Sequence, residues 1–496
     1  MVRWMDLRVS SAKGRWVLLA TVLGSSVAML DGTVVNVALP SIGRTFGASE
    51  AELQWVVNAY TLTLAGMILL GGALGDRYGR RRIFVIGLVW FALASALCAV
   101  AVNAPMLIAS RALEGIGGAL LTPGSLAIIQ SSFAPDDRSR AVGAWSGLGG
   151  VASAIGPFLG GWLVGSVGWR WVFLINLPLV AVTVAVTVRH VPESTGETSS
   201  GRFDAGGAVL AVLALAGITY ALTAASSGPA WQAVVAAVAG IGCAAGFVVR
   251  ERGLGDSAML PLDIFASRQF TVINVITFIV YGGMGVVFFV FVQALQVVSG
   301  FSPLAAGISM LPFTILMLLL SARAGQLASR IGPKLPLTLG LAVAACGMLL
   351  MTRIGTRASY LTDVLPAVTV FGLGMTAVVA PLTATVLASA DVRHAGVASG
   401  VNNAVARAGS LLLVAAIPPL TGLTGDAQAH PARFETGFHE SVLIGAALLA
   451  AGAVLSLLTV RDRMVPAPAA RQPSAKVNCA IAAPPLEPGP GKSVAH

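Results

Sequence analysis

Asp31, Arg111 and Glu114 are ionisable residues set inside long apolar runs, Asp31 in the run 16–39 and the other two in the run 106–129. A charged side chain at bilayer depth is costly, so such residues must face a partner or a water-filled cavity. Arg111 and Glu114 stand three residues apart and therefore share one helix face. Counted from the same side of a bilayer, Asp31 and Glu114 lie about eight residues deep and Arg111 about five, which places the three near one level. Where a fold sets Asp31 beside them, two carboxyls against one guanidinium make a set that can hold and release a proton, because burial favours a neutral carboxyl and an adjacent cation an ionised one. The plainer alternatives are that Asp31 and Asn36 only join helices, and that Glu114 only neutralises Arg111.

The segment Gly72-Ala-Leu-Gly-Asp-Arg-Tyr-Gly-Arg-Arg81 carries a second set. Gly72 and Gly79 allow close approach and turning, and Asp76 can accept from helix amides or from Arg77 and Arg80, a relay suited to holding one face of a protein shut. Gly156-Pro157 and Gly160-Gly161 permit close helix contact, and the proline frees a backbone carbonyl. Asn36, Gln293, Gln296, Asn402 and Asn403 are amides that either line a polar cavity or bond between helices. The sequence has no Walker phosphate loop, no His-Glu-x-x-His, no Gly-x-Ser-x-Gly and no paired metal cysteines. It reads as a non-enzyme without cofactor or metal, whose work an ion gradient must drive.

Positioning these residues requires elements that cross a membrane. Of 496 residues 56% are hydrophobic and 10% charged, and mean hydropathy is +0.85; water-facing domains carry about a quarter charged residues. Fourteen apolar runs are long enough to cross about 30 Å of hydrocarbon as helices, at 16–39, 55–75, 83–102, 106–129, 139–164, 171–189, 205–224, 231–249, 271–297, 304–324, 335–352, 361–387, 395–417 and 439–460. Backbone in lipid must satisfy its own hydrogen bonds, and a β-barrel would instead show short alternating segments. With the N-terminus cytoplasmic, 23 of the 31 Arg and Lys fall on inner loops and termini and five on outer loops, Arg353 and Arg357 among the latter. That asymmetry sets orientation, so both termini are expected in the cytoplasm. The net charge of +10 thus serves topology rather than nucleic acid, since the bases form no recognition stripe. Four scattered cysteines make no disulfide framework. The basic start imitates a signal peptide, but the stretch behind it continues to Pro40 as one helix, so no cleavage is expected.

An internal repeat organises the runs. Gly72–Arg81 aligns with Gly325-Gln-Leu-Ala-Ser-Arg-Ile-Gly-Pro-Lys334, and each copy joins the second and third spans of a six-span unit. The chain then divides into an N-terminal segment (1–15), a six-helix half (16–190), a linker with two extra spans (191–270), a second six-helix half (271–460) and a tail read as disordered (461–496). The extra spans are expected to be peripheral and to face lipid.

Together these motifs resemble the major facilitator superfamily and, within it, the fourteen-span drug:proton antiporter branch. Gly72–Arg82 is similar to the family's loop signature and Leu30–Pro40 to the branch's first-helix signature. Arg111-Ala-Leu-Glu-Gly115 is similar to the fourth-helix motif, although the family usually has Gln where this chain has Glu114. Gly147, Gly156-Pro157 and Gly160-Gly161 resemble the motif associated with antiport, and Trp169–Pro178, Gly300–Gly307 and Gly396–Asn403 also match. The resemblance implies an all-α polytopic membrane protein with the major facilitator fold, two six-helix halves plus two extra spans, in a bacterial cytoplasmic membrane. It implies a monomer that exports an amphipathic drug or antibiotic against protons, with Asp31, Arg111 and Glu114 in coupling and Gly72, Asp76, Arg77, Gly79 and Arg80 in gating. The expected partners are the lipid bilayer, a small organic substrate and protons. A symporter importing a metabolite is the first alternative, disfavoured by the Gly156-Pro157 element. A membrane protein without transport function is the second, and it leaves the repeat unexplained.

Overall fold

A computed structural model of the chain describes residues 7–195, 204–224, 229–255, 260, 262–389 and 395–462. The expected disordered tail, from 463 onward, and residues 196–203 of the linker lie outside these described residues. Among the described residues are fourteen helices of 15 residues or more and no strand. They are α1 (Ala12–Phe46), α2 (Glu50–Tyr78), α3 (Arg80–Ala99), α4 (Ala104–Ser132), α5 (Pro135–Ser166), α6 (Asn176–His190), α7 (Ala205–Ala224), α8 (Ala230–Leu254), α9 (Arg268–Val297), α10 (Leu311–Ile331), α11 (Lys334–Met351), α12 (Leu365–Ala388), α13 (Ala395–Leu420) and α14 (Pro431–Thr459). One-turn pieces, Trp171–Leu174 and Pro303–Ile308, precede α6 and α10.

Each counted run has its helix, yet twelve described helices are long and apolar enough to cross a membrane, or thirteen if the two arms of the bent α2 form one span. The expected fourteen are compatible with this number and not established by it.

Local chemistry sets the helix ends. The Ser11 hydroxyl accepts from the Gly14 amide at 3.0 Å, and Asn103 Oδ1 from Met106 at 2.9 Å. Ser49 and Glu52 form a reciprocal capping box at the start of α2. Gly47, at φ 61°, ends α1 in the left-handed conformation that suits glycine. The end of the bundle where α1 begins and α14 finishes is called the terminal end below, and the opposite one the distal end.

The repeat is visible in three dimensions at the terminal end. Gly79 (φ 108°) and Gly332 (φ 89°) turn the chain into α3 and α11, in conformations that glycine alone adopts readily. The new helix is then capped from afar. Glu193, just past α6, accepts from the Arg81 amide at 3.0 Å, and Asp462, just past α14, accepts from the Lys334 amide at 3.1 Å. Arg81 and Lys334 are aligned positions of the repeat, and each carboxylate follows the sixth helix of its half.

The halves, α1–α6 and α9–α14, meet at the distal end. Gln296 Nε2 donates to the Val37 carbonyl at 3.1 Å, and the Glu50 amide to the Gly425 carbonyl at 2.8 Å. Both extra helices present apolar side chains outward, Val209 and Leu213 on α7, but they pack differently. α8 presents Trp231, Val234, Val238 and Ile241 outward. α7 also lies against α2 of one half and α13 of the other, with Val212 seated over Gly66 and Tyr220 beside Trp55.

Candidate coupling site

α1, α2 and α4 bring the three intramembrane charges together. The Asn103 cap starts α4 two turns before Arg111, and Gly115 lets α2 cross closely, since a Cβ there would overlap Tyr60 and Thr63. Thr63 Oγ1 ties that crossing to the Ala112 carbonyl at 2.9 Å. Arg111 then points inward, 1% exposed, between Asp31 and Glu114, both 0% exposed.

One nitrogen serves both carboxyls. Arg111 Nη1 lies 2.5 Å from Asp31 Oδ2 and 2.6 Å from Glu114 Oε2. Its Nε donates to the Val56 carbonyl at 3.1 Å, and its guanidinium lies 4.2 Å from the centre of the Tyr60 ring, a geometry that adds cation–π attraction in a buried site. Asn176 Nδ2, from α6, donates to Asp31 Oδ1 at 3.3 Å and to Ser95 Oγ at 2.9 Å. Cys98 Sγ approaches Glu114 Oε2 at 3.5 Å.

The two carboxyls are not equivalent. Both oxygens of Asp31 have partners, whereas Glu114 Oε1 is buried without one. Two ionised carboxylates and one guanidinium would leave a net negative charge in a fully buried site, which is strongly unfavourable. One proton balances the set, and Glu114 Oε1 is the unpartnered atom where it can reside.

The remaining candidates fall elsewhere. Asp76 pairs with Arg80 at 2.7 Å within its own turn, while Arg80 Nη1 reaches the Ala127 carbonyl at 3.4 Å. Arg77 lies over Tyr78, and Gly72 faces Pro123 of α4. On α5, Gly156 and Gly160 pack on Thr33 and Val34 of α1, while Gly161 meets Pro303, and Gly307 meets the carbonyl of Pro157. These glycines thus bring α5 against both α1 and the opposite half.

Of the amides, Gln296 and Asn402 bond between helices, Asn402 to Thr277 at 2.8 Å. Gln293 is fully buried and bonds to the Phe289 carbonyl, Asn36 bonds weakly back to Gly32, and Asn403 is exposed. Arg407 of α13 approaches Tyr60 from the second half, and its Nε has no acceptor.

Sequence reasoning found the trio but not its surroundings. Asn176, Ser95, Cys98 and Tyr60 come from three other helices. Asn176 alone offered a signal, as a buried-type amide inside a quoted apolar motif. Glu193, Asp462 and Glu50 were missed altogether.

Comparison with known proteins agrees with this architecture. Residues 21–414 match the family model described as Major Facilitator Superfamily. The chain is 35% identical over 407 residues to Multidrug resistance protein Stp of Mycobacterium tuberculosis (strain CDC 1551 / Oshkosh), covering 80% of this chain and 73% of that protein. It is 35% identical over 426 residues to a probable actinorhodin transporter of Streptomyces coelicolor, covering 83% and 73%. Among solved structures, the POT family transporter PepTSo superposes with a TM-score of 0.64 at 16% identity, over 89% of this chain and 97% of that one, a likeness of fold.

Proposed function

The chain belongs to the Major Facilitator Superfamily, and from that premise we propose that it exports amphipathic organic compounds, drugs or antibiotics, in exchange for protons. It is a multi-pass membrane transporter, not an enzyme. Relatives named for multidrug resistance and for transport of actinorhodin support the direction and the substrate class. The observation that carries proton coupling is the sharing of one buried Arg111 nitrogen by Asp31 and Glu114, with Glu114 Oε1 unpartnered.

In this reading the terminal end, with both termini, faces the cytoplasm of a bacterial cell, as the basic asymmetry favours. The distal seam closes the outer face, and the substrate enters from inside between the halves. Rocking of one half over the other then exchanges a proton at Glu114 for the compound. Asp76, Arg77 and Arg80, turned by Gly72 and Gly79, form the cytoplasmic gate, and the α5 glycines form the pivot contact at the outer face. The protein acts as a monomer.

Expression in a drug-sensitive, pump-deleted bacterial host tests the reading. Lowered accumulation of at least one amphipathic compound, restored to host level by Arg111→Ala, is expected. Unchanged accumulation across the panel, with raised uptake of a metabolite, would favour the symporter instead.

A further inference from the structure

Glu50 begins α2 at the distal seam and is 1% exposed. Its backbone amide donates to Gly425 of the opposite half at 2.8 Å, so it sits where the halves join. The side-chain amides of Gln293 and Gln428 lie beside its carboxyl. Each makes its short bond elsewhere, Gln428 Nε2 to Gln293 Oε1 at 2.5 Å and Gln293 Nε2 to the Phe289 carbonyl at 2.7 Å. Neither oxygen of Glu50 receives a well-formed hydrogen bond.

The charged groups of the elements packed around Glu50 are occupied or on the rim. Arg44 of α1 is exposed, and Glu52 is held by Ser49 in the capping box at 2.8 Å. Asp426 pairs with His430 at 3.4 Å and with Arg433 at 3.8 Å. The partial positive charge at the start of α2 favours an ionised Glu50, but the desolvation of a buried, unpaired carboxylate is the larger effect. The closed seam therefore fits a neutral, protonated Glu50. Gln54 and Asn58 continue the same face of α2 at one-turn intervals. Both are 1% exposed, and each has an unpartnered atom, so this face takes water readily once the halves part.

We infer that Glu50 is a second proton-binding site, separate from the Asp31–Arg111–Glu114 trio: the distal seam closes with Glu50 protonated and opens with it ionised. The proton comes from water at the distal face and returns there on opening. The transporter then cannot reach this closed state without first binding that proton, and the pH on that side sets the fraction closed. Linkage fixes the sign. The closed state holds one proton more than the open state, so raising the pH disfavours closure, by up to roughly tenfold in the closed-to-open ratio per pH unit above the ordinary glutamate value.

The test uses the full-length protein in lipid nanodiscs, with spin labels at Ala51 and Ala432 on opposite sides of the seam. Their distance distribution is measured between about pH 5.5 and about pH 8, where an exposed glutamate is ionised. The wild type is expected to shift from the short distance toward a longer one as pH rises. Glu50→Gln, isosteric with the protonated acid, should keep the short distance throughout, and Glu50→Asp should retain the pH response. A Glu50→Gln protein that opens with pH as the wild type does would overturn the inference, as would a wild type whose seam ignores pH. No substrate or gradient is present, so either failure leaves the export reading standing.

Discussion

Truncating Arg111 to Ala removes the one guanidinium that holds two carboxyls, and its effect can be worked from the geometry. Nη1 is 2.5 Å from Asp31 and 2.6 Å from Glu114, and all three side chains are 0–1% exposed. Loss of one partner from a buried ionic set costs about 3–5 kcal/mol, because the carboxylate left behind lacks a counter-charge. Neutralising the whole set should be much milder, since most of that cost belongs to the stranded carboxyls. The triple variant Arg111→Met, Asp31→Asn, Glu114→Gln is expected within about 1–2 kcal/mol of wild type. Equilibrium unfolding in mixed detergent micelles, followed through the 9 tryptophans, measures both. An Arg111→Ala protein within about 0.5 kcal/mol of wild type, or a triple variant no more stable than Arg111→Ala, would show that Arg111 does not hold the carboxyls in this way.

Two smaller predictions concern the terminal end. Gly79→Ala and Gly332→Ala place a side chain at positive φ and should each lower stability by about 1–3 kcal/mol, whereas Glu193→Gln and Asp462→Asn, which weaken the matching caps, should cost about 1 kcal/mol or less; thermal melting that ranks the caps above the glycines would contradict this. Asp204, ahead of α7, is pushed up by burial, but the Gly207 amide at 2.9 Å and Arg250 at 2.7 Å hold its carboxyl below its ordinary value on balance. Its stabilisation is therefore present above about pH 4 and lost as pH falls through the lower folded value. With Arg250 half exposed the pair is worth about 1 kcal/mol at most. Hydrogen exchange across α7 and α8 should lose protection on acidification in wild type and change less in Asp204→Asn; equal loss in both would refute the assignment.

The trio was legible in the sequence because lipid makes every charge conspicuous: Asp31, Arg111 and Glu114 stand out against apolar neighbours, and depth alone aligned them. What the sequence could not supply was that a single nitrogen serves both acids, which depends on how α1 crosses α4. The caps of the repeat were hidden for a different reason. Glu193 and Asp462 act on Arg81 and Lys334 across more than a hundred residues, and in sequence each is one more charge beside a span. Glu50 reads as an ordinary first-turn acid, the residue helix starts favour, and only the closure of the seam over it makes it unusual. α7 and α8 have similar apolar composition, so periodicity could not say which one would touch both halves.

In the proposed mechanism the trio exchanges one proton for the exported compound, with the proton carried on Glu114. Proton release on addition of an exported compound, followed with a pH dye in reconstituted vesicles, tests it most directly. Wild type should release about one proton per compound bound, as the charge balance of the buried set requires. Glu114→Gln should still bind the compound and release none, while Asp31→Asn should release less. Proton release by Glu114→Gln at the wild-type level would rule out Glu114 as the carrier and reduce the trio to a packing element.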